Sequence, residues 1–165
     1  MKEIEFKIKG LMMDPLTNSP IVVLQDTTSD TLLPIWVGIF EANAIALQIE
    51  KVDTPRPMTH DLIKGLLNTL NAHVLKIVVT ELKDNTFYAL IFLDVQGKTI
   101  TVDSRPSDAI ALALRTESPI FVTDDVLTKS ANSSSTTLSA ERSTPEEIRQ
   151  WLENLNPEDM GKYKM

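Results

Sequence analysis

The sequence contains no cysteine. That excludes a disulfide framework, a thiolate metal site and a cysteine nucleophile, and it suits a reducing cytoplasm, the compartment expected for the chain. Aromatic residues are scarce at 5%. The few glycines form no Gly-rich loop of the kind that cradles a phosphate, and no Ser-His-Asp motif appears. No apolar run approaches the roughly 20 residues a membrane-spanning helix needs, so no membrane association is expected. Met1 to Phe6 is charged and alternating, without the apolar stretch of a secretory signal. Basic residues are also short: Lys and Arg number 16 against 23 Asp and Glu, a net charge of −7. The deficit is not confined to the C-terminal end, since residues 1–129 carry 12 basic against 17 acidic side chains. This balance excludes the broad basic footprint of an ordinary nucleic-acid binder. Any polyanion must be met at a local site, with metal ions supplying positive charge.

What remains is a 42% hydrophobic chain of 165 residues, long enough for one core and an appendage. Residues 2–9 alternate, with Ile4, Phe6 and Ile8 on one face, which predicts a half-buried strand. Ile21–Leu24 and Leu32–Val37 predict two more, with Trp36 in the core. Gly38 then leads into an apolar helix over about 39–51, expected to be buried. Pro55 and Pro57 break the chain before a helix over about 60–71, capped by Thr59 and striped by Leu62, Ile63, Leu66, Leu67 and Leu70. His73 falls at the end of that helix, where it would complement the dipole. Strands at about 74–83, 86–94 and 98–103 follow, then a helix from Pro106 to about Arg115 and a short strand at Ile120–Val122.

The order is a duplicated β-β-β-α unit with an extra helix between the copies. Ala44-Ile45-Ala46-Leu47 recurs 65 residues later as Ala109-Ile110-Ala111-Leu112. At the same offset Ile35 and Val37 meet Ile100 and Val102. The fold class expected is α+β, with mostly antiparallel or mixed sheets and a C-terminal helix. The domain spans residues 1–129, a Ser-rich flexible linker 130–143, and a helix with tail 144–165. That last helix starts at Thr144-Pro145-Glu146-Glu147 and carries the stripe Ile148, Trp151, Leu152, Leu155.

Two segments look alike: Arg56-Pro57-Met58-Thr59-His60-Asp61 and Arg105-Pro106-Ser107-Asp108. A residue before proline is pushed into extended geometry. Each Arg therefore stands at the mouth of a helix, where free N–H groups and the dipole favour anions. Arg56, Arg105, Thr59 and Ser107 are the candidate substrate-binding residues. His60, Asp61, Asp108 and Glu41 are the candidate catalytic residues. Asp103, Asp108 and Glu41 are the candidate ligands of Mg²⁺ or Mn²⁺, because hard divalent ions take carboxylate oxygens, and two such ions can activate water against a phosphodiester. The competing assignment is structural. Thr59 and Ser107 then only cap helices, Asp61 and Asp108 only complement dipoles, and Glu41 pairs with Arg56 or Arg105.

Several segments carry a family resemblance: Leu33-Pro34-Ile35-Trp36-Val37-Gly38 with Glu41-Ala42, Arg56 to Leu62, Phe87-Tyr88-Ala89, and above all Asp103-Ser104-Arg105-Pro106-Ser107-Asp108-Ala109-Ile110-Ala111-Leu112-Ala113. Over about residues 4–127 the chain resembles the bifunctional nuclease domain family. The resemblance implies a nuclease, a hydrolase of phosphodiester bonds in RNA and DNA, with a compact α+β fold and a homodimer. It carries no catalytic residue set across, so the candidates above rest on their local chemistry. The second functional reading is a non-enzymatic dimeric binding or regulatory module, in which the Arg-Pro and Asp motifs are structural.

Overall fold

A computed structural model describes residues 1–133 of the chain. The expected helix and tail at 144–165, and residues 134–143 of the expected linker, lie outside the described residues. Three strands open the chain: β1 (Glu3–Met13), β2 (Pro20–Asp26) and β3 (Leu32–Trp36). Two helices follow, α1 (Ile39–Ile49) and α2 (Thr59–Thr69). A second meander comprises β4 (Ala72–Lys83), β5 (Thr86–Val95) and β6 (Lys98–Ser104). The described part ends with α3 (Pro106–Thr116), β7 (Ile120–Thr123) and α4 (Asp124–Ser133). α4 makes residues 130–133 helical, so regular structure runs past the break expected at 130.

All seven strands form one mixed, mostly antiparallel sheet in the order β3-β2-β1-β7-β4-β5-β6. The two meanders lie on either side of β7, which runs antiparallel to β1 and parallel to β4. The fold is therefore α+β and repeats β-β-β-α as the sequence predicts. The two units share a sheet through a strand that belongs to neither meander.

Local chemistry sets these elements. The β4–β5 hairpin turns at Asp84 and Asn85, both with positive φ (49° and 58°), the geometry whose twist matches a two-residue hairpin. Gln96 and Gly97 repeat the device before β6, with φ of 54° and 78°. The echoed segments explain the helix layer. Ala42, Ala46, Ala109 and Ala111 are all fully buried. Such small side chains let α1 and α3 lie against each other and close on the sheet. Ile45 and Ile110 are also fully buried, and both belong to one core with Ile77, Val79, Ala89 and Val122.

Three expectations need correction. Trp36 is not core: it is 49% exposed, and its Nε1–H donates to Asp14 Oδ2 at 3.0 Å. The strand alternates, so burying Leu33 and Ile35 turns Trp36 outward. α1 is buried only along part of its length, with Ile39 48% and Phe40 84% exposed in its first turn. His73 is not at a helix end, because α2 stops at Thr69 and β4 already begins at Ala72, where His73 stands opposite Asp94. Asn71, at φ 55°, makes the left-handed turn that separates the two elements. The apolar stripe of α2 also divides. Ile63 and Leu67 pack on the core, while Leu62, Leu66 and Leu70 remain more than half exposed.

Candidate functional site

The first turns of α1, α2 and α3 meet in one chain of polar contacts. Arg105 immediately precedes Pro106 and is held extended (φ −67°, ψ 144°), as a residue before proline should be. From there its Nε–H donates to Asp108 Oδ2 at 2.9 Å, and one terminal nitrogen donates to Glu41 Oε1 at 2.8 Å. The other oxygen of Asp108 lies 3.0 Å from His60 Nε2. The order of contact is therefore Glu41–Arg105–Asp108–His60. It runs from the first repeat to the second and on to the extra helix.

The charges within it are unequal in exposure. The Arg105 side chain is 66% exposed, that of Glu41 17% and that of Asp108 31%, whereas His60 is buried. Burial works to raise the Asp108 pKa, but the hydrogen bonds from His60 and Arg105 outweigh it and hold the carboxyl below its ordinary range. Asp108 is then ionised at neutral pH and can only accept. It follows that His60 Nε2 carries the proton and donates it. Asp108 and Glu41 in turn raise the pKa of Arg105.

Gly38 makes room for this arrangement. Its backbone is ordinarily extended (φ −69°, ψ 156°), so its conformation does not demand glycine. Space does, because a Cβ at Gly38 would collide with the Glu41 carboxylate folded back over the helix start.

His60 and its neighbour Asp61 face different partners. Asp61 Oδ1 receives the Nε–H of Arg115 at 2.6 Å, and Asp61 Oδ2 accepts the Met58 backbone N–H at 2.9 Å. Burial would raise the pKa of Asp61; the Met58 N–H and the Arg115 guanidinium lower it further than burial raises it. Arg115 is 6% exposed and also donates to the carbonyls of Ala111 and Ala44 at 2.8 and 2.9 Å. From this buried position it joins α3, α1 and the start of α2. Sequence reasoning missed it. The available signal was a cation in the last turn of an otherwise apolar helix, which is ordinarily a solvated dipole partner. A cleft of ≈ 300 Å³ opens beside this pair and is lined by Asp53, Pro55, Arg56, Asp61 and Arg115, among others.

The remaining candidates stand apart. Arg56 is exposed on the cleft and makes no ion pair among the described residues. Thr59 is not the cap of α2; Met58 holds that position, and Thr59 is the first helical residue, exposed. His60 lies on the inner side of the helix, toward Asp108. Ser107 is buried in the first turn of α3, whose N-cap is Arg105 without a side-chain capping bond. Asp103 lies on β6, exposed. Among the described residues no three His, Asp or Glu side chains come together as ligands for a cation. The donor chemistry gives the reason. Glu41 and Asp108 share one guanidinium, and Asp61 is taken by another. As arranged, these carboxylates do not fit a resident Mg²⁺ or Mn²⁺.

Comparison with known proteins places the chain in a family. The bifunctional nuclease domain matches residues 22–135. An uncharacterized protein of Mycobacterium tuberculosis (strain H37Rv) is 34% identical over 161 residues, covering 94% of this chain and 96% of that protein. Bifunctional nuclease 1 of Oryza sativa subsp. japonica is 29% identical over 114 residues, covering 67% of this chain and 34% of that protein. Bifunctional nuclease 1 of Arabidopsis thaliana is 28% identical, with 68% of this chain and 36% of that protein covered. The chain thus spans about a third of each plant nuclease and nearly all of the mycobacterial protein. The matched segment holds every member of the Glu41–Arg105–Asp108–His60 chain, and on this evidence the protein belongs to the bifunctional nuclease domain family.

Proposed function

We propose that the protein is a nuclease that hydrolyses phosphodiester bonds of RNA or DNA in the cytoplasm, as a homodimer, at the Glu41–Arg105–Asp108–His60 cluster. The observation that carries this reading is the convergence of those four side chains from three helix starts, with the one cation among them, Arg105, largely open to solvent. Family membership supports the reaction class.

In this reading Arg105 leaves Glu41 and offers its terminal nitrogens to two phosphate oxygens, which its planar fork suits, while its Nε–H stays on Asp108. Arg56 holds an adjacent phosphate at the cleft. Release from Arg105 frees the Glu41 carboxylate to take the proton of an attacking water. The water oxygen bonds to phosphorus, the bond to the leaving oxygen breaks, and that oxygen takes a proton from solvent. Asp108, kept ionised and oriented by His60, holds Arg105 in register. His60 acts through Asp108, since its Nε2 is committed there.

A second reading has its own support. Glu41, Asp61 and Asp108 are each already bonded to an arginine, which suits a non-enzymatic binding or regulatory module whose polar network clamps the two repeats together. Cleavage assays on single- and double-stranded RNA and DNA, with Mg²⁺, with Mn²⁺ and with chelator, separate the two. Cleavage lost in Glu41→Gln and Arg105→Gln, with the fold intact, supports the hydrolytic reading. No cleavage by the unaltered protein under any condition supports the binding module.

A further inference from the structure

Ile35 and Ile100 occupy the same position in the two repeats, on the two strands that end the sheet. Both lie on the helix-bearing face. Ile35 stands opposite Val22, and Ile100 stands opposite Leu93, which belongs to the core under the helices. Yet Ile35 is 2% exposed and Ile100 46%. Val102, also turned to that face, is 42% exposed.

The two edges differ in the same sense. β3 has five residues and carries Pro34, which has no N–H to offer a further strand. β6 has seven residues, and Thr99 occupies the position equivalent to Pro34. It pairs with β5 without a bulge, and its residues Lys98–Asp103 are all exposed. Short length, proline, bulges and covering segments are how proteins blunt a sheet edge. β3 has two of these; β6 carries a charge near each end, Lys98 and Asp103, but nothing shields Thr99–Val102 between them among the described residues.

We propose that β6 pairs antiparallel with β6 of a second copy, across a two-fold axis at Thr101, so that the two sheets become continuous. Directly opposed residues in an antiparallel pair face the same side. A two-fold axis normal to the sheet therefore has to pass through a residue rather than between two. An axis at Ile100 would set Lys98 against the partner's Val102, and one at Val102 would set Ile100 against the partner's Ser104. The axis at Thr101 uses all seven residues, sets Ile100 against the partner's Val102, and offers the Thr99 hydroxyl to the partner's Asp103. The strand is complementary to itself in this register, which makes a second copy its fitting occupant. The assembly goes beyond the hydrolytic reading and does not rest on it, since it is measured with no substrate present.

The test is the mass of the full chain in solution by sedimentation equilibrium. The unaltered protein is expected to be a dimer at micromolar concentration. Ile100→Lys and Val102→Lys alter side chains already exposed, so far-UV circular dichroism should be unchanged while the dissociation constant rises at least about tenfold. Because the chain has no cysteine, Thr101→Cys should give a disulfide-linked dimer on oxidation, and Thr99→Cys should not. A monomeric unaltered protein, including one whose residues 134–165 cover β6 in place of a partner, would overturn the proposal. So would a dimer indifferent to both lysine substitutions, or cross-linking through Thr99→Cys instead of Thr101→Cys.

Discussion

Arg105 meets Glu41 at 2.8 Å across the boundary between the two repeats. At the other end of the same helix Arg115 reaches Asp61 at 2.6 Å, and there the side chain is only 4% exposed against 66% for Arg105. Both arginines join separate elements, but only one of them does so in the interior.

That difference predicts unequal consequences for two similar substitutions. Arg115→Ala removes a buried guanidinium that Asp61 and the carbonyls of Ala44 and Ala111 share, and loss of hydrogen bonds to such a charge costs about 1.5–3 kcal/mol. Arg105→Ala removes a solvent-exposed bridge worth about 1 kcal/mol or less. Urea denaturation of both variants checks the contrast, and equal losses would show that exposure does not separate the two roles.

Gly38→Ala keeps a permitted backbone conformation but fills the space of the Glu41 carboxylate. The flexible Glu41 side chain is expected to swing away from Arg105, leaving stability within about 1 kcal/mol of the original. Gly38→Ala should then lower cleavage as Glu41→Gln does. The double variant should be no worse than either single one, because both remove one interaction. Additive losses would place the two effects in different sites.

Acid should weaken the contacts of the helix layer. The folded pKa values of Asp61 and Asp108 lie below their ordinary range. Depressed acids contribute stability that is complete above the unfolded value of roughly 3.9 and is lost as pH falls through the folded value. Stability should therefore hold from neutrality to about pH 5 and decline below about pH 4, taking these reference values. In Asp61→Asn and Asp108→Asn that decline should be shallower. Thermal melts across this range are the check, and an unaltered acid slope in both variants would contradict the assignment.

Much of the architecture was legible because the duplication was written twice: in element order and in the alanine-rich echo of residues 44–47 and 109–112. Four of the candidate site residues were legible for a related reason. Proline fixes the residue before it in extended geometry, so Arg105 had to stand at a helix mouth, and Asp108 had to lie one turn inside. Thr59 and Arg56 were nominated by the same local logic, and Asp103 as a carboxylate at a strand end; all three lie outside the Glu41–Arg105–Asp108–His60 chain, because a motif specifies its own helix start but not which other helix start it faces. Arg115 was illegible since its partners, Asp61 and the Ala44 carbonyl, are distant in sequence. Trp36 was misread from hydrophobicity alone, where strand alternation with Ile35 inward turns it out to Asp14.

The most direct measurement is the cleavage rate of Asp108→Asn beside the unaltered protein, on RNA and on DNA, in preparations with matched thermal melts. Asp108 touches both His60 and Arg105, so its charge holds the cluster together. Loss of that charge should reduce cleavage at least about 100-fold, the scale of a positioned acid–base or charge-stabilising group. Cleavage retained within about twofold, which is negligible on that scale, would contradict the placement of the reaction at this cluster.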